Sequence, residues 1–147
     1  MAEVILRRRA NPRIEFYAPT VSTAYPINTL LAPDEDASGN AFIAATSSSA
    51  TILGVNHKTV ASTDSDYATA GRPHPVLVDE DAIWEFTVGT GTADTNDRQG
   101  FIDLKDTDEV DVTASARDVV FVTDFVKTTV VRGRIALWAW RQPPVVR

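Results

Sequence analysis

The sequence has no cysteine, which excludes disulfide frameworks, thiolate metal sites and cysteine nucleophiles together. Its only histidines are His57 and His74, so little imidazole is available for metal binding or acid–base chemistry. Strong helix formers are scarce, with 7 Leu, 6 Glu, 3 Lys, 2 Gln and 1 Met among 147 residues. No apolar run approaches the roughly 18 residues a spanning helix needs. Met1 to Leu6, followed by Arg7, Arg8 and Arg9, lacks the apolar core of a secretory signal. These shortages lead to the expectation of a soluble chain made in the cytoplasm, with no membrane partner. What is abundant is β-branched: 17 Val, 17 Thr and 8 Ile. A helical bundle is excluded on this count, and an all-β fold of one domain is expected.

Charge is segregated along the chain. The net charge is −6, yet residues 1–33 carry +2, residues 34–124 carry −13 and residues 125–147 carry +5. One reading is a solvated acidic surface with snorkelling arginines. The other is that the basic ends touch acidic surface on a neighbouring subunit or partner. Nucleic acid is not an expected partner, because an anionic body repels phosphate.

Residues 1–26 read as an extended N-terminal arm. Pro12, Pro19 and Pro26 recur every seven residues and disfavour helix. Ile14, Phe16, Tyr17 and Tyr25 lie between them, too apolar for a solvated tail. The alternative is that this segment packs across its own domain as a first strand. Residues 27–142 read as the β domain and 143–147 as a tail behind Pro143 and Pro144.

Strands are expected at 27–31, 41–45, 51–55, 76–78, 82–88, 101–104, 110–112 and 119–122, with a long last one at 128–140. Their spacing of about ten residues suits a small antiparallel β-barrel or β-sandwich. Gly54 marks a bulge or a close backbone approach. Trp84, Phe86 and Val88 share one face of their strand. In the last strand Val131, Gly133, Ile135, Leu137 and Ala139 form the expected core face. Arg132, Arg134, Trp138 and Trp140 point the other way, and an outward Trp pair reads as an interface unless the same chain covers it.

Motifs for catalysis are missing from the sequence. There is no Gly-x-Ser-x-Gly elbow and no Gly-Lys-Ser/Thr phosphate loop, and Gly89-Thr90-Gly91 lacks the third glycine of a dinucleotide loop. Asp64-Ser65-Asp66 and the acids from Asp103 to Asp111 offer oxygens to calcium, but without the twelve-residue loop pattern. Solvated turn acids account for them better. His57 and His74 read as surface residues. No enzyme, cofactor or metal is expected.

Ala44–Val55, with its Ala-Ala-Thr-Ser-Ser-Ser-Ala-Thr-Ile-Leu-Gly-Val run, resembles a hairpin of small virion proteins of tailed bacteriophages. Ala61–Ala68, Pro75–Asp81, Glu85–Ala93, Phe101–Asp106 and Val119–Phe125 continue the similarity, which spans about residues 27–136. The family is the head decoration, or cement, proteins. The resemblance implies a compact β domain that joins the capsid exterior as an oligomer and stabilises the shell against DNA pressure. A terminal arm often grips the capsid in that family.

The expectation is therefore a structural virion protein bound to the major capsid protein. It is expected to act as a homo-oligomer, a trimer ahead of a dimer. Expected contact residues are Arg7, Arg8, Arg9 and Arg13 for charge, with Ile14, Phe16 and Tyr17 as apolar anchors. Trp138, Trp140, Arg132 and Arg134 are the expected oligomer interface. The alternative is a carbohydrate- or receptor-binding β module of a virion surface, with the Trp pair stacking on sugar rings.

Overall fold

The computed structural model of the chain describes residues 4–8, 13–34, 41–79 and 81–140. Eleven strands run through them: β1 (Ile5–Arg8), β2 (Arg13–Pro19), β3 (Leu30–Pro33), β4 (Ala41–Ala44), β5 (Gly54–Asn56), β6 (His74–Val78), β7 (Ile83–Thr90), β8 (Phe101–Leu104), β9 (Glu109–Asp111), β10 (Val120–Lys127) and β11 (Val130–Ile135). The only helical turns described are single 3₁₀ segments at Thr95–Asp97 and Leu137–Ala139. No helix among the described residues is long and apolar enough to cross a membrane.

The all-β expectation holds, and the chain builds a barrel twice. Strands β2-β4-β3-β5-β6 close the first barrel. Strands β7-β11-β10-β8-β9 close the second through a β7–β9 pairing, and β1 lies on the free length of β7 beyond it. The connectivity is the same in both. The first strand of each pairs in parallel with the third, at Ala18↔Ala41 and Thr87↔Glu109, while every other pairing is antiparallel. Closure leaves few open edges, which suits chains this rich in Val, Ile and Thr.

Alternation sets the walls. Along β11 Val131, Gly133 and Ile135 are buried and Val130, Arg132 and Arg134 are half-buried, as the period-two pattern requires. Trp84 and Phe86 of β7 point into the second barrel with Ile102, Leu104 and Val122; Phe42, Leu31, Val55 and Val76 are buried in the first. Gly54 is a close approach rather than a bulge. A Cβ there would stand 2.5 Å from Val76 Cγ1 and 2.7 Å from the Leu77 carbonyl oxygen.

The barrels are joined by backbone. The Leu30 N–H donates to the Thr107 carbonyl at 2.8 Å, and the Thr107 hydroxyl returns a bond to the Leu30 carbonyl at 2.9 Å. Ile52 bridges to Trp140 in parallel, and its N–H meets the Ala139 carbonyl at 2.6 Å. Leu30 and Leu31 are both fully buried although they point to opposite faces of β3. A strand apolar on both sides needs cover on both.

Among the described residues of the first 26, Ile5–Arg8 and Arg13–Pro19 are strands within the sheets. Arg13 to Tyr17 of β2 pair with Val78 to His74 of β6, and Ala18 and Pro19 pair with β4. Residues 5–8 pair with β7 of the other barrel. Pairings of β2 with β4 and β6 thus join residues on the two sides of position 26. Of the aromatics that argued against a solvated tail, Tyr25 is buried and Tyr17 half-buried in the chain's own domain, while Phe16 faces outward.

Candidate interaction surface

The expected site residues divide by what surrounds them. Strand β2 turns Ile14 and Phe16 outward, 37% and 60% exposed. Arg13 is exposed beside them, its Nε donating to Glu15 Oε1 at 3.0 Å, and the half-buried Tyr17 donates its hydroxyl to Glu15 Oε2. Glu15 thus fixes a cation and a phenol on the same strand. Arg7 and Arg8 belong to β1, while Arg9 lies outside the described residues.

The expected Trp pair is not a pair. Regular pairing of β11 ends at Ile135, and the 3₁₀ turn at 137–139 breaks the two-residue alternation on which that expectation rested. Trp138 is 61% exposed and Leu137 58%, whereas Trp140 is buried at 5% against the first barrel. Leu137, expected in the core, is outside for the same reason. Trp138 is held in place by its Nε1–H donating to the Asp118 carbonyl at 3.1 Å and by Phe101, 4.6 Å between ring centroids. Phe121 lies 5.0 Å beyond Phe101, and the Arg134 guanidinium sits 5.1 Å from the Phe121 centroid. Stacking on Phe121 uses the ring face and leaves the guanidinium edges for other contacts. Arg132 is instead committed to Glu85 across the sheet, Nε to Oε2 at 3.3 Å.

Two groups of residues escaped the sequence reading. His74, expected at the surface, is buried, and its Nε2 lies 2.7 Å from Asn56 Oδ1. The Asn56 amide donates to the Tyr25 and Pro26 carbonyls at 3.0 and 2.7 Å, so its oxygen is the acceptor for His74. Burial holds the His74 pKa below its usual value, with the Arg72 charge acting in the same direction. Asp103 is the second. Its carboxylate accepts from the Ala116, Arg117 and Asp118 N–H groups at 3.0, 2.8 and 2.8 Å. A lone acid inside the apolar run Phe101-Ile102-Asp103-Leu104 was the available signal.

The acids considered for calcium do local work. Asp64 accepts from the Ala61 N–H and Asp111 from the Thr113 N–H and hydroxyl. Among the described residues no three His, Asp or Glu side chains gather as a metal set would. Two open grooves lie among the described residues, one of about 390 Å³ along Ala32, Ile43, Thr46 and Ser48 to Thr51, and one of about 370 Å³ along Pro26, Ile27 and Thr59 to Ser62.

No protein-family model matches the chain, and no curated protein matches it.

Proposed function

We propose that this chain is a structural virion protein that binds the outer surface of an assembled tailed-phage capsid and stabilises it through many modest contacts. The observation that carries the reading is Phe16, 60% exposed with Ile14 beside it on a strand bonded into the barrel on both edges. A rigid, outward aromatic on a closed barrel is a ready anchor, because little conformational entropy is lost when it docks. Trp138 and Leu137 on the second barrel offer another such point. Two anchors on one chain favour multivalent attachment to a repeating lattice. The resemblance of residues 27–136 to head decoration proteins supports the same role, with the major capsid protein as partner and a trimer as the working oligomer.

Deleting residues 1–26 is a poor test, since it removes the strand between β4 and β6. Phe16→Glu and Ile14→Asp are better, because both side chains already face solvent. Co-sedimentation with capsids should fall at least about tenfold in affinity, the loss of one buried anchor, while the melting temperature stays within a few degrees. Undiminished co-sedimentation would remove β2 from the reading. Light scattering reports the oligomer.

The exposed Trp138 favours a second reading, a carbohydrate- or receptor-binding module in which the indole stacks on a sugar ring. Glycan binding that is lost in Trp138→Ala and indifferent to Phe16→Glu would select it.

A further inference from the structure

The loop between β5 and β6 borders a polar cavity of about 260 Å³ whose lining includes Lys58, Asp64, Asp66, Arg72 and His74. Arg72 is the unusual member, its side chain only 11% exposed. Its Nη1 is paired with Asp66 Oδ1, yet Nε and Nη2 are buried without an acceptor. Among the described residues the other buried side-chain donors lacking an acceptor are the indole nitrogens of Trp84 and Trp140, single neutral groups; here a charged group leaves two donors unmet. Nε–H and Nη2–H lie on one edge of the planar guanidinium, spaced to be received by the two oxygens of one carboxylate.

We propose that this cavity is a carboxylate-binding site, with Arg72 as the bidentate donor and Lys58 as the second cation. The neighbouring charges favour a monoanion. Asp66 is spent on Nη1 and Asp64 accepts from the Ala61 N–H, so two acids already balance Lys58 and Arg72. A doubly charged phosphate meets that repulsion twice over, and a carboxylate meets it once. The Thr59 and Ser65 hydroxyls supply further donors within the lining. Both Arg72 nitrogens are shielded from solvent, so on this proposal a carboxylate reaches them only with a local rearrangement around the guanidinium. Pro75 also lines the cavity and is the register partner of the exposed Phe16. A carboxylate borne on an apolar body, such as a glutamate beside a leucine, therefore has a surface to rest on. The site needs no capsid to exist and is tested on the purified protein.

Isotope-labelled protein is titrated with sodium acetate, with the dipeptide acetyl-Leu-Glu-amide, with its Gln counterpart and with inorganic phosphate, following the Lys58, Arg72 and His74 resonances. Saturable shifts with acetate and the Glu peptide, and none with the Gln peptide, are the expected result. Arg72→Lys should weaken binding roughly tenfold or more, because lysine has no two-donor edge. Phe16→Ala should weaken the peptide only, which separates a free acid from an acid carried by a polypeptide. If Arg72→Lys does not fold, Lys58→Gln serves in its place and should weaken acetate several-fold. No saturable shift in the wild-type protein, tighter binding of phosphate than of acetate, or acetate binding unchanged in the folded variant would each overturn the proposal.

Discussion

The first and second barrels follow one connectivity with opposite solutions for the interior. In the first, polar groups are taken inside: Asn56 and His74 are bonded to each other, and the Asn56 amide reaches back to Tyr25 and Pro26, all buried or nearly so. Arg72 stands at the edge of that network with an unfilled guanidinium edge. In the second, Trp84 and Phe86 fill the centre, and the buried acid Asp103 is turned to the loop at 116–118 instead. The same closed sheet thus tolerates a polar pin or an aromatic plug. The second barrel leaves one neutral donor unmatched, the Trp84 indole, whereas the first leaves two donors of the charged Arg72 unmet, which is why the first barrel is the one that invites a ligand.

The largest expected effect tests whether the barrels are separate at all. Phe42→Ala in the first and Phe86→Ala in the second each remove a fully buried ring, costing about 3–5 kcal/mol. The Leu30–Thr107 and Ile52–Ala139 bonds join the two barrels, so urea denaturation should give one transition in both variants. Two steps, with only the mutated barrel shifted, would break the picture of one cooperative unit.

Next in size is Asp103→Ala, which strands three backbone N–H groups and should cost about 2–3 kcal/mol by the same measurement. Asp103→Asn keeps one acceptor oxygen and should recover part of that. Because Asp118 also carries the carbonyl that holds Trp138, the Ala variant should raise indole mobility in fluorescence anisotropy.

pH sets the barrels against each other. His74 has its pKa lowered by burial, so the unfolded chain binds a proton before the folded one does. Its contribution is whole above the unfolded value of 6.5 and is lost as pH falls from there through the lower folded value. Asp108, between β8 and β9, has its pKa raised by burial and by Asp106 and Glu109. The folded chain holds that proton longer, so the Asp108 contribution to stability is whole below 3.8 and is lost as pH rises through the folded value. Melting temperature should fall with mild acid in the wild type and fall less in His74→Gln. Asp108→Asn should melt higher than wild type at pH 7 and match it in strong acid. A His74→Gln protein with the wild-type acid profile would show that the polar pin does not titrate.

Legibility in the sequence followed the same division. Period-two patterns in β7 and β11 gave the walls correctly, because there one face meets core and the other meets solvent. Closure into two rings was hidden, since the parallel pairings of β2 with β4 and β7 with β9 join segments that no local pattern links. Trp140 departs from the outward face because alternation holds only while the chain stays in the sheet, and the 3₁₀ turn ends it. His74 between Pro73 and Pro75 reads as a surface residue; its burial depends on Asn56, eighteen residues away. Ile14 and Phe16 were legible as apolar, and only the sheet register shows that they face outward.

The smallest expected effects separate the chain's arginines by role. Arg132 reaches Glu85 across β11 and β7, with side-chain exposures of 40% and 14%, whereas Arg13 reaches Glu15 two residues along its own strand, with exposures of 45% and 29%. The first pair is partly shielded and ties two strands of a ring; the second lies within one strand. Arg132→Ala should therefore cost about 0.5–1 kcal/mol and lose its effect in high salt, and Arg13→Ala should change stability by less than about 0.5 kcal/mol. The order reverses for binding. On the proposed capsid reading, Arg13 flanks the exposed Ile14 and Phe16, so its loss should weaken co-sedimentation at low salt and leave urea denaturation unmoved. Arg132, committed to Glu85, should show the opposite. If both substitutions alter stability alone, the basic residues at the ends of the chain serve the fold, and only the apolar side chains of β2 are left to meet a partner.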